Sequence, residues 1–349
     1  MANIDLVTEQ LGLCPAFSTS PLLQLEARKT APRVIVKDET NRLGMGSFKA
    51  LGGTYAVFRV FHRAASEVFG SDLSFSSIFS DAVRPLAKSM TFCCASAGNH
   101  GLAVAAAAHA IGSNSTIFVS ENVPPSFVKR LKEKGAIVIR TGQTYDDSML
   151  AARAAATDNG RVLVADSSWE GYTEIPRIIM NGYSIIANEI ESQCAQIPCT
   201  SPTHIFLQAG VGGLAGAIAN YVRARWKSQP RIIVVEPDRA PCLQASAKAG
   251  KPIFAGGSGS VMGRLDCAEP SIVAFDILRN YADGFLTISD NESEQAVKEL
   301  AGLGVHTSPS GAAGYAGMQA IFKHSQLREK LDLNFGSVCL VIATETSIL

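Results

Sequence analysis

The stretch His204–Trp226, HIFLQAGVGGLAGAIANYVRARW, decides the fold. Its first part, His204–Gln208, is mostly apolar without in–out alternation, as a strand covered on both faces requires. Glycines at Gly210, Gly212 and Gly213 then break the run, and Leu214–Trp226 reads as a helix. A second apolar strand follows at Arg231–Glu236. Strand, glycine-rich loop, helix and strand make the repeating unit of a parallel sheet clothed by helices. Ligands of such sheets sit at the carboxyl ends of strands, in the loops that open the next helix.

The alternation extends outward from this unit. Upstream, strands are predicted at Arg33–Asp38, Thr91–Ala95, Ser115–Val119, Ala136–Arg140 and Val162–Asp166. Helices are predicted at Phe48–His62, Gly101–Ile111, Ser126–Lys134 and around Tyr145–Ala156, with a long one at Ile175–Cys194. Ala65–Met90 shows no period and reads as an irregular excursion, while Val338–Thr344 closes the series as a strand. The expected fold class is α/β, with mainly parallel sheets covered by helices.

Composition narrows the function. The chain has 349 residues, 47% hydrophobic and 18% charged, enough for two domains and a sizeable core. Lys and Arg number 31, as do Asp and Glu, so no electrostatic footprint for nucleic acid or an anionic membrane exists. The expected partner is a small molecule. The opening Met-Ala-Asn-Ile-Asp has no signal-peptide pattern, and the apolar stretches Leu102–Ile111 and Val338–Thr344 are too short to cross a bilayer. Cysteines at Cys14, Cys93, Cys94, Cys194, Cys199, Cys242, Cys267 and Cys339 form no C-x-x-C pair. They predict no metal site, reduced core thiols and a cytoplasmic setting.

Four loops carry chemistry. In Asp38–Gly53, DETNRLGMGSFKALGG, Lys49 opens an apolar helix, where apolar surroundings and the helix dipole lower a lysine pKa and make its amine able to form a Schiff base. A snorkelling surface lysine reads the same in isolation. In Cys94–Gly101, CASAGNHG, a strand runs through small residues into a helix whose free N–H groups suit an anion. There Asn99 offers a side chain to a phenolic or carbonyl oxygen, and His100 reads equally as a structural histidine. The loop QAGVGGLAG fits neither a dinucleotide fingerprint nor a P-loop, so it reads as a nest for one phosphate or as a close-packing turn. In Ser308–Tyr315, SPSGAAGY, Ser310 is a neutral hydroxyl at a helix start, or an N-cap. A lysine, an oxygen-binding Asn, a one-phosphate nest and a neutral hydroxyl together match pyridoxal 5′-phosphate, which has an aldehyde, a phenolic oxygen, one phosphate and a pyridine nitrogen.

These motifs resemble the fold-type II pyridoxal-phosphate enzymes, which include threonine and serine dehydratases and have a tryptophan synthase β-like fold. Within that group the chain is most similar to the diaminopropionate ammonia-lyases. The similarity rests on FKALGG around Lys49, DSSWEGYTEIP at Asp166–Pro176, IMNGY at Ile179–Tyr183, the QAGVGGLAG loop, VEPDRAPC at Val235–Cys242 and VMGRLDCAEP at Val261–Pro270. The resemblance implies that Lys49 carries the cofactor and that Asn99 bonds its phenolic oxygen. It further implies that Gly210, Val211, Gly212, Gly213 and Leu214 hold the phosphate and that Ser310 faces the pyridine nitrogen. Ser96, Ala97, Gly98, Asn99 and His100 would take the substrate carboxylate. Asp166 would meet the substrate at its β-position, by contacting an ammonium or by helping to protonate the leaving group, unless it merely caps the turn after its strand. Glu170 and Tyr172 are weaker candidates.

The same resemblance implies a large cofactor domain, residues 1–52 and 163–349, around a small domain, residues 53–162, and homodimeric assembly. It implies α,β-elimination of ammonia from 2,3-diaminopropionate, with release of pyruvate and ammonia. One departure bears on enantiomers. Lyases that accept both forms resemble Thr-Asp-Gly-Asn-His at the carboxylate loop, where the Asp is a second base; here the stretch is Ser96-Ala97-Gly98-Asn99-His100, as in the dehydratases. Alanine cannot take a proton, so the expectation is one base, Lys49, and a preference for the L-form. Dehydration of L-serine, L-threonine or another β-substituted amino acid is the alternative, and an idle cofactor-binding protein is the alternative from another class.

Overall fold

The computed structural model describes residues 3–26, 31–196 and 201–347. Cys199 lies outside the described residues. Ten strands occur among them: β1 (Leu22–Gln24), β2 (Arg33–Asp38), β3 (Thr91–Ala95), β4 (Asn114–Val119), β5 (Ile137–Arg140), β6 (Val162–Leu163), β7 (His204–Gln208), β8 (Arg231–Pro237), β9 (Gly284–Ile288) and β10 (Val338–Ala343). They form a six-stranded sheet in the order β1-β2-β10-β7-β8-β9 and a four-stranded sheet in the order β5-β4-β3-β6. Every pairing is parallel except β1 with β2. The central strands β7, β8 and β10 are mostly apolar and buried throughout except for Arg231 at the start of β8, as their lack of alternation predicts.

Helix Lys49–Phe69 packs between helix Asn99–Ala110, beside the smaller sheet, and helix Glu174–Cys194, beside the larger one. Small residues allow the backbones to approach. A Cβ on Gly52 would lie 2.4 Å from the Tyr183 ring, and one on Gly53 would lie 2.6 Å from the Ala103 Cβ. Gly182 faces Gly52 across the same crossing. FKALGG and NGY are thus, in part, packing signals that seat the Lys49 helix between the sheets.

Several boundaries depart from expectation. The helix expected to end at His62 runs to Phe69, and the excursion after it contains 3₁₀ turns and a short helix, Arg84–Ser89. The strand expected over Val162–Asp166 is only β6, because the chain turns away at once. The Tyr172 hydroxyl donates to the Leu163 carbonyl (2.8 Å) and accepts from the Ala165 N–H (3.0 Å), which fixes the turn and presents Asp166. β1 and β9 were not expected: β1 has three residues, and β9 is only half-buried over most of its length. The thiols are not uniformly core. Cys93, Cys94, Cys242 and Cys339 are buried, whereas Cys14, Cys194 and Cys267 are half-buried; all seven are free. No described helix is long and apolar enough to cross a membrane.

A buried charge cluster lies beneath the Lys49 loop. Lys37 on β2 is fully buried and meets Glu189 at 2.6 Å, while also donating to the Ser20 carbonyl at 2.8 Å. Arg42 pairs with Glu39 (2.6 Å) and Glu189 (2.7 Å) and donates to the Ser18 carbonyl (2.7 Å). The cluster ties the loop ahead of Lys49 to helix Glu174–Cys194. Removing one member of such a set strands the opposite charges in low dielectric. Arg42→Leu is expected to lower stability by about 3–5 kcal/mol, measured by urea denaturation with an unchanged denaturant slope; a loss under ~1 kcal/mol would contradict a structural role for the cluster.

Candidate active site

The segments that follow β2, β3, β6, β7 and β10 meet around Lys49. Its segment is pinned to the chain after β10: the Phe48 N–H donates to the Thr344 carbonyl and the Thr346 N–H to the Gly46 carbonyl, each at 3.0 Å. Lys49 Nζ is in direct contact with Asp166 Oδ2. The two side chains are 25% and 17% exposed, so the pair lines an open cleft and is not sealed in the core. Burial alone would depress the Lys49 ammonium, but the Asp166 carboxylate overrides it and holds the amine above the ordinary lysine range. The lowered pKa expected from apolar surroundings is therefore reversed. Burial likewise opposes ionisation of Asp166, yet Lys49 and His100 draw it below the usual carboxylate range.

Around this pair stand the other expected residues. β3 delivers Ser96–Asn99 to the N-terminus of helix Asn99–Ala110, which carries no side-chain cap. A Cβ on Gly101 would lie 2.1 Å from the Ser96 carbonyl oxygen, so this tight entry requires glycine there. Ser96, Ala97 and Gly98 are half-buried, and the Ser96 hydroxyl accepts from the Gly98 N–H at 3.3 Å. Asn99 is buried, with its Nδ2 donating to Glu345 Oε2 at 2.6 Å. His100 is buried as well and its Nε2 meets the Val164 carbonyl at 2.7 Å, which is the structural-histidine arrangement; burial lowers its titration. Its Nδ1 has no partner. Glu170 is exposed, and Tyr172 is engaged in holding the Asp166 turn.

The glycine-rich loop opens helix Gly213–Arg225, again without a side-chain cap. Gly212 is left-handed (φ 96°), and a Cβ there would press on Leu243, Ala274 and Leu278 at 3.2 Å. The nearest atoms to a Cβ on Gly213 are the Asp166 carbonyl oxygen at 3.8 Å and the Tyr183 ring at 3.9 Å, so the loop faces the lysine–aspartate pair. The first N–H groups of an uncapped helix have no intrahelical acceptors and favour an anion. The Val211 carbonyl accepts from the Ser271 N–H (3.0 Å), and Leu214 is buried. Ser310 is also buried, and its Oγ accepts from the Arg264 N–H at 3.3 Å. The cap of helix Pro309–Lys323 is Ser308, whose side chain accepts from Gly311, so Ser310 is not the N-cap.

Sequence reasoning assigned no role to four neighbours. Tyr183 is buried, its hydroxyl has no partner, and it feels the charges of both Lys49 and Asp166. Cys267 sits beside the phosphate loop, its Sγ 2.8 Å from where a Gly210 Cβ would lie, and burial pushes its thiol up to about 12. Tyr145 is 55% exposed as a residue, while desolvation of its phenol, followed by the charges of Asp166 and Cys267, raises its titration. Glu345 is buried behind Asn99. Only Tyr183, in NGY, and Cys267, in RLDCAEP, lie in motifs that drew notice; Tyr145 and Glu345 carry no local signal.

The cleft fits pyridoxal phosphate. An uncapped helix N-terminus with a left-handed glycine could cradle a phosphate, a lysine stands near it, and the buried Tyr183 hydroxyl has no partner within the protein. Fold and site together define a fold-type II pyridoxal-phosphate enzyme. A family model described as "Pyridoxal-phosphate dependent enzyme" matches residues 14–345, and the chain belongs to that family. The diaminopropionate ammonia-lyase of Escherichia coli K12 is 35% identical over 323 residues, covering 90% of this chain and 80% of the relative. That of Salmonella typhimurium LT2 is 32% identical over 347 residues, covering 95% and 86%. The crystal structure of the Escherichia coli enzyme in complex with an aminoacrylate–PLP azomethine reaction intermediate superposes with a TM-score of 0.87 at 32% identity, covering 99% of this chain and 88% of that one. Its complex with D-serine gives 0.88 at 32% identity, covering 99% and 89%.

The orphaned Tyr183 hydroxyl yields two effects of opposite sign. An unsatisfied buried hydroxyl costs about 1–3 kcal/mol. Tyr183→Phe is expected to stabilise the cofactor-free chain by about 1 kcal/mol while weakening its affinity for pyridoxal phosphate, as read by thermal melting and equilibrium titration. A less stable cofactor-free variant with unchanged affinity would show that the hydroxyl is structural.

Proposed function

We propose that the protein is a lyase that eliminates ammonia from L-2,3-diaminopropionate, giving pyruvate and ammonia, and that it works as a cytoplasmic homodimer. The observation that carries the reading is the contact between Lys49 Nζ and Asp166 Oδ2 at the mouth of the phosphate loop. Lys49, Asn99, the loop Gly210–Leu214 and Ser310 would hold the cofactor's aldehyde carbon, phenolic oxygen, phosphate and pyridine nitrogen respectively. When bound, pyridoxal phosphate supplies an electron sink for the negative charge that develops at Cα. The neutral Ser310 hydroxyl cannot stabilise a positively charged ring as a carboxylate would, which suits a reaction whose leaving group drains that charge.

Lys49 Nζ would be the base that takes the Cα proton once it stands as the neutral amine, which requires that its hold by Asp166 be released when substrate binds. The uncapped N-terminus at Ser96–Asn99 orients the substrate carboxylate. As a carboxylate, Asp166 would attract the β-ammonium and would not be the donor that protonates the leaving group. Names of the relatives at 32–35% identity support the diamine as substrate. The two lobes proposed for the chain follow the two sheets, with the lysine–aspartate pair between them. β6 spans the expected boundary between residues 162 and 163 yet pairs with β3 in the smaller sheet. Free thiols at all seven described cysteines support a reducing compartment, and homodimerisation is carried over from the resembled family.

One observation favours a second reading. Ala97 stands where the two-enantiomer lyases have an aspartate, and the loop matches the dehydratases. Keto-acid release by cofactor-loaded protein from L- and D-diaminopropionate, L-serine and L-threonine separates them. Release from the L-diamine is expected; release only from hydroxy amino acids would make the chain a dehydratase, and release from none of them would favour the idle binder.

Two substitutions test the roles. Asp166→Asn is expected to lower kcat/KM for the diamine by about 10²-fold or more and for serine by clearly less, since both lose the partner of Lys49 but only the diamine brings a second ammonium; equal losses on both would refute an ammonium contact. Ala97→Asp is expected to add turnover of D-diaminopropionate, followed as pyruvate release, and an unchanged enantiomer ratio would count against the single-base account.

A further inference from the structure

Glu345 belongs to no recognised motif, yet it touches four of the segments gathered around Lys49. It lies two residues beyond the end of β10 and is 3% exposed. Its Oε1 accepts from the Ser308 hydroxyl at 2.5 Å and from Arg264 Nη1 at 2.7 Å; its Oε2 accepts from Asn99 Nδ2 at 2.6 Å. Its backbone bridges to Ser47, two residues ahead of Lys49, and its carbonyl accepts from the Thr307 hydroxyl at 2.5 Å. Arg264 in turn donates its backbone N–H to Ser310. One buried residue therefore joins four segments: its carboxylate reaches the Asn99 helix, the Ser308–Ser310 turn and the loop that carries Arg264 and Cys267, and its backbone reaches the lysine segment.

We infer that Glu345 is the positioning residue that orients the Asn99 amide toward the cofactor's phenolic oxygen. The inference rests on the cofactor assignment above and not on the choice of substrate. Burial pushes the Glu345 carboxyl up, against the pull of Arg264 and Ser308; in its charged form, which the Arg264 pair favours, it can only accept hydrogen bonds, so the amide nitrogen of Asn99 faces it. An amide nitrogen has two N–H donors. Glu345 occupies one in a short, charge-assisted bond and so aims the other into the cleft. Without this anchor the amide is free to turn its oxygen toward the phenolic oxygen, and acceptor would face acceptor. Arg264 balances the charge of Glu345, so the anchor does not leave a bare anion beside the ring.

Wild type, Glu345→Gln, Asn99→Ala and the double variant are loaded with pyridoxal phosphate, and affinity and the pH midpoint of the lysine-bound visible band are measured. Glu345→Gln is expected to weaken cofactor affinity about tenfold or more and to move the midpoint, whereas in the Asn99→Ala background it should add little to either. A merely structural role would lower the melting temperature and leave the midpoint in place. Additive shifts in the double variant, or unchanged affinity and midpoint in Glu345→Gln, overturn the inference. Should Glu345→Gln fail to fold, Glu345→Asp keeps the charge near Arg264 but withdraws it from Asn99. That variant is expected to move the midpoint, and a wild-type midpoint would overturn the inference. A wild-type chain that forms no visible band overturns the cofactor assignment and this inference together.

Discussion

The ion pair of Lys49 and Asp166 joins the ends of two separate sheets: Lys49 opens the helix reached from β2 in the larger sheet, and Asp166 leaves β6 in the smaller one. Much else in the molecule serves to bring these two side chains together. Gly52, Gly53 and Gly182 let the lysine helix sink between its neighbours, and the Lys37–Glu39–Arg42–Glu189 cluster fixes the loop ahead of it. On the other side, the Tyr172 hydroxyl ends β6 early and turns the chain. Stacking of Tyr172 on Trp169, with the Arg153 guanidinium 3.6 Å from the indole, holds that turn, and the Ser168–Ser271 contact ties it to the larger sheet's helices.

The charges are distributed with the same economy. Two helix N-termini, at Asn99 and Gly213, enter the cleft without side-chain caps and so present unsatisfied N–H groups to anions. The third helix at the cleft, Pro309–Lys323, is capped by Ser308. Ser310, two positions further on, is thereby free of the cap and accepts from the Arg264 N–H as a neutral group. A phosphate, a carboxylate and an uncharged ring nitrogen are the three partners that this pattern suits.

The fold was largely legible. β2, β3 and β7 fall on their predicted residues because continuous apolar runs flanked by polar turns have few alternative readings. β1 and β9 escaped because one is very short and the other half-buried, so neither carries the apolar run that marks an inner strand. β6 was over-extended because Val164 and Ala165 are apolar, and only the distant Tyr172 hydroxyl reveals that they form the turn. Within the site, motif residues were readable where chemistry needs a specific type at a loop, as with Lys49 and the glycines. The lysine pKa was not readable, since its direction depends on a carboxylate 117 positions away that tertiary folding brings alongside. Glu345 and Tyr183 were invisible for a related reason: one becomes functional by what it touches, the other by what it fails to touch.

The central claim is that Lys49, held against Asp166, is the cofactor's attachment point. Borohydride reduction of the cofactor-loaded protein, followed by peptide mapping, tests it directly, because reduction makes a lysine–pyridoxal linkage permanent. The account predicts the added mass on the peptide that contains Lys49 and on no other lysine. A label on a different lysine, or none at all, would contradict it.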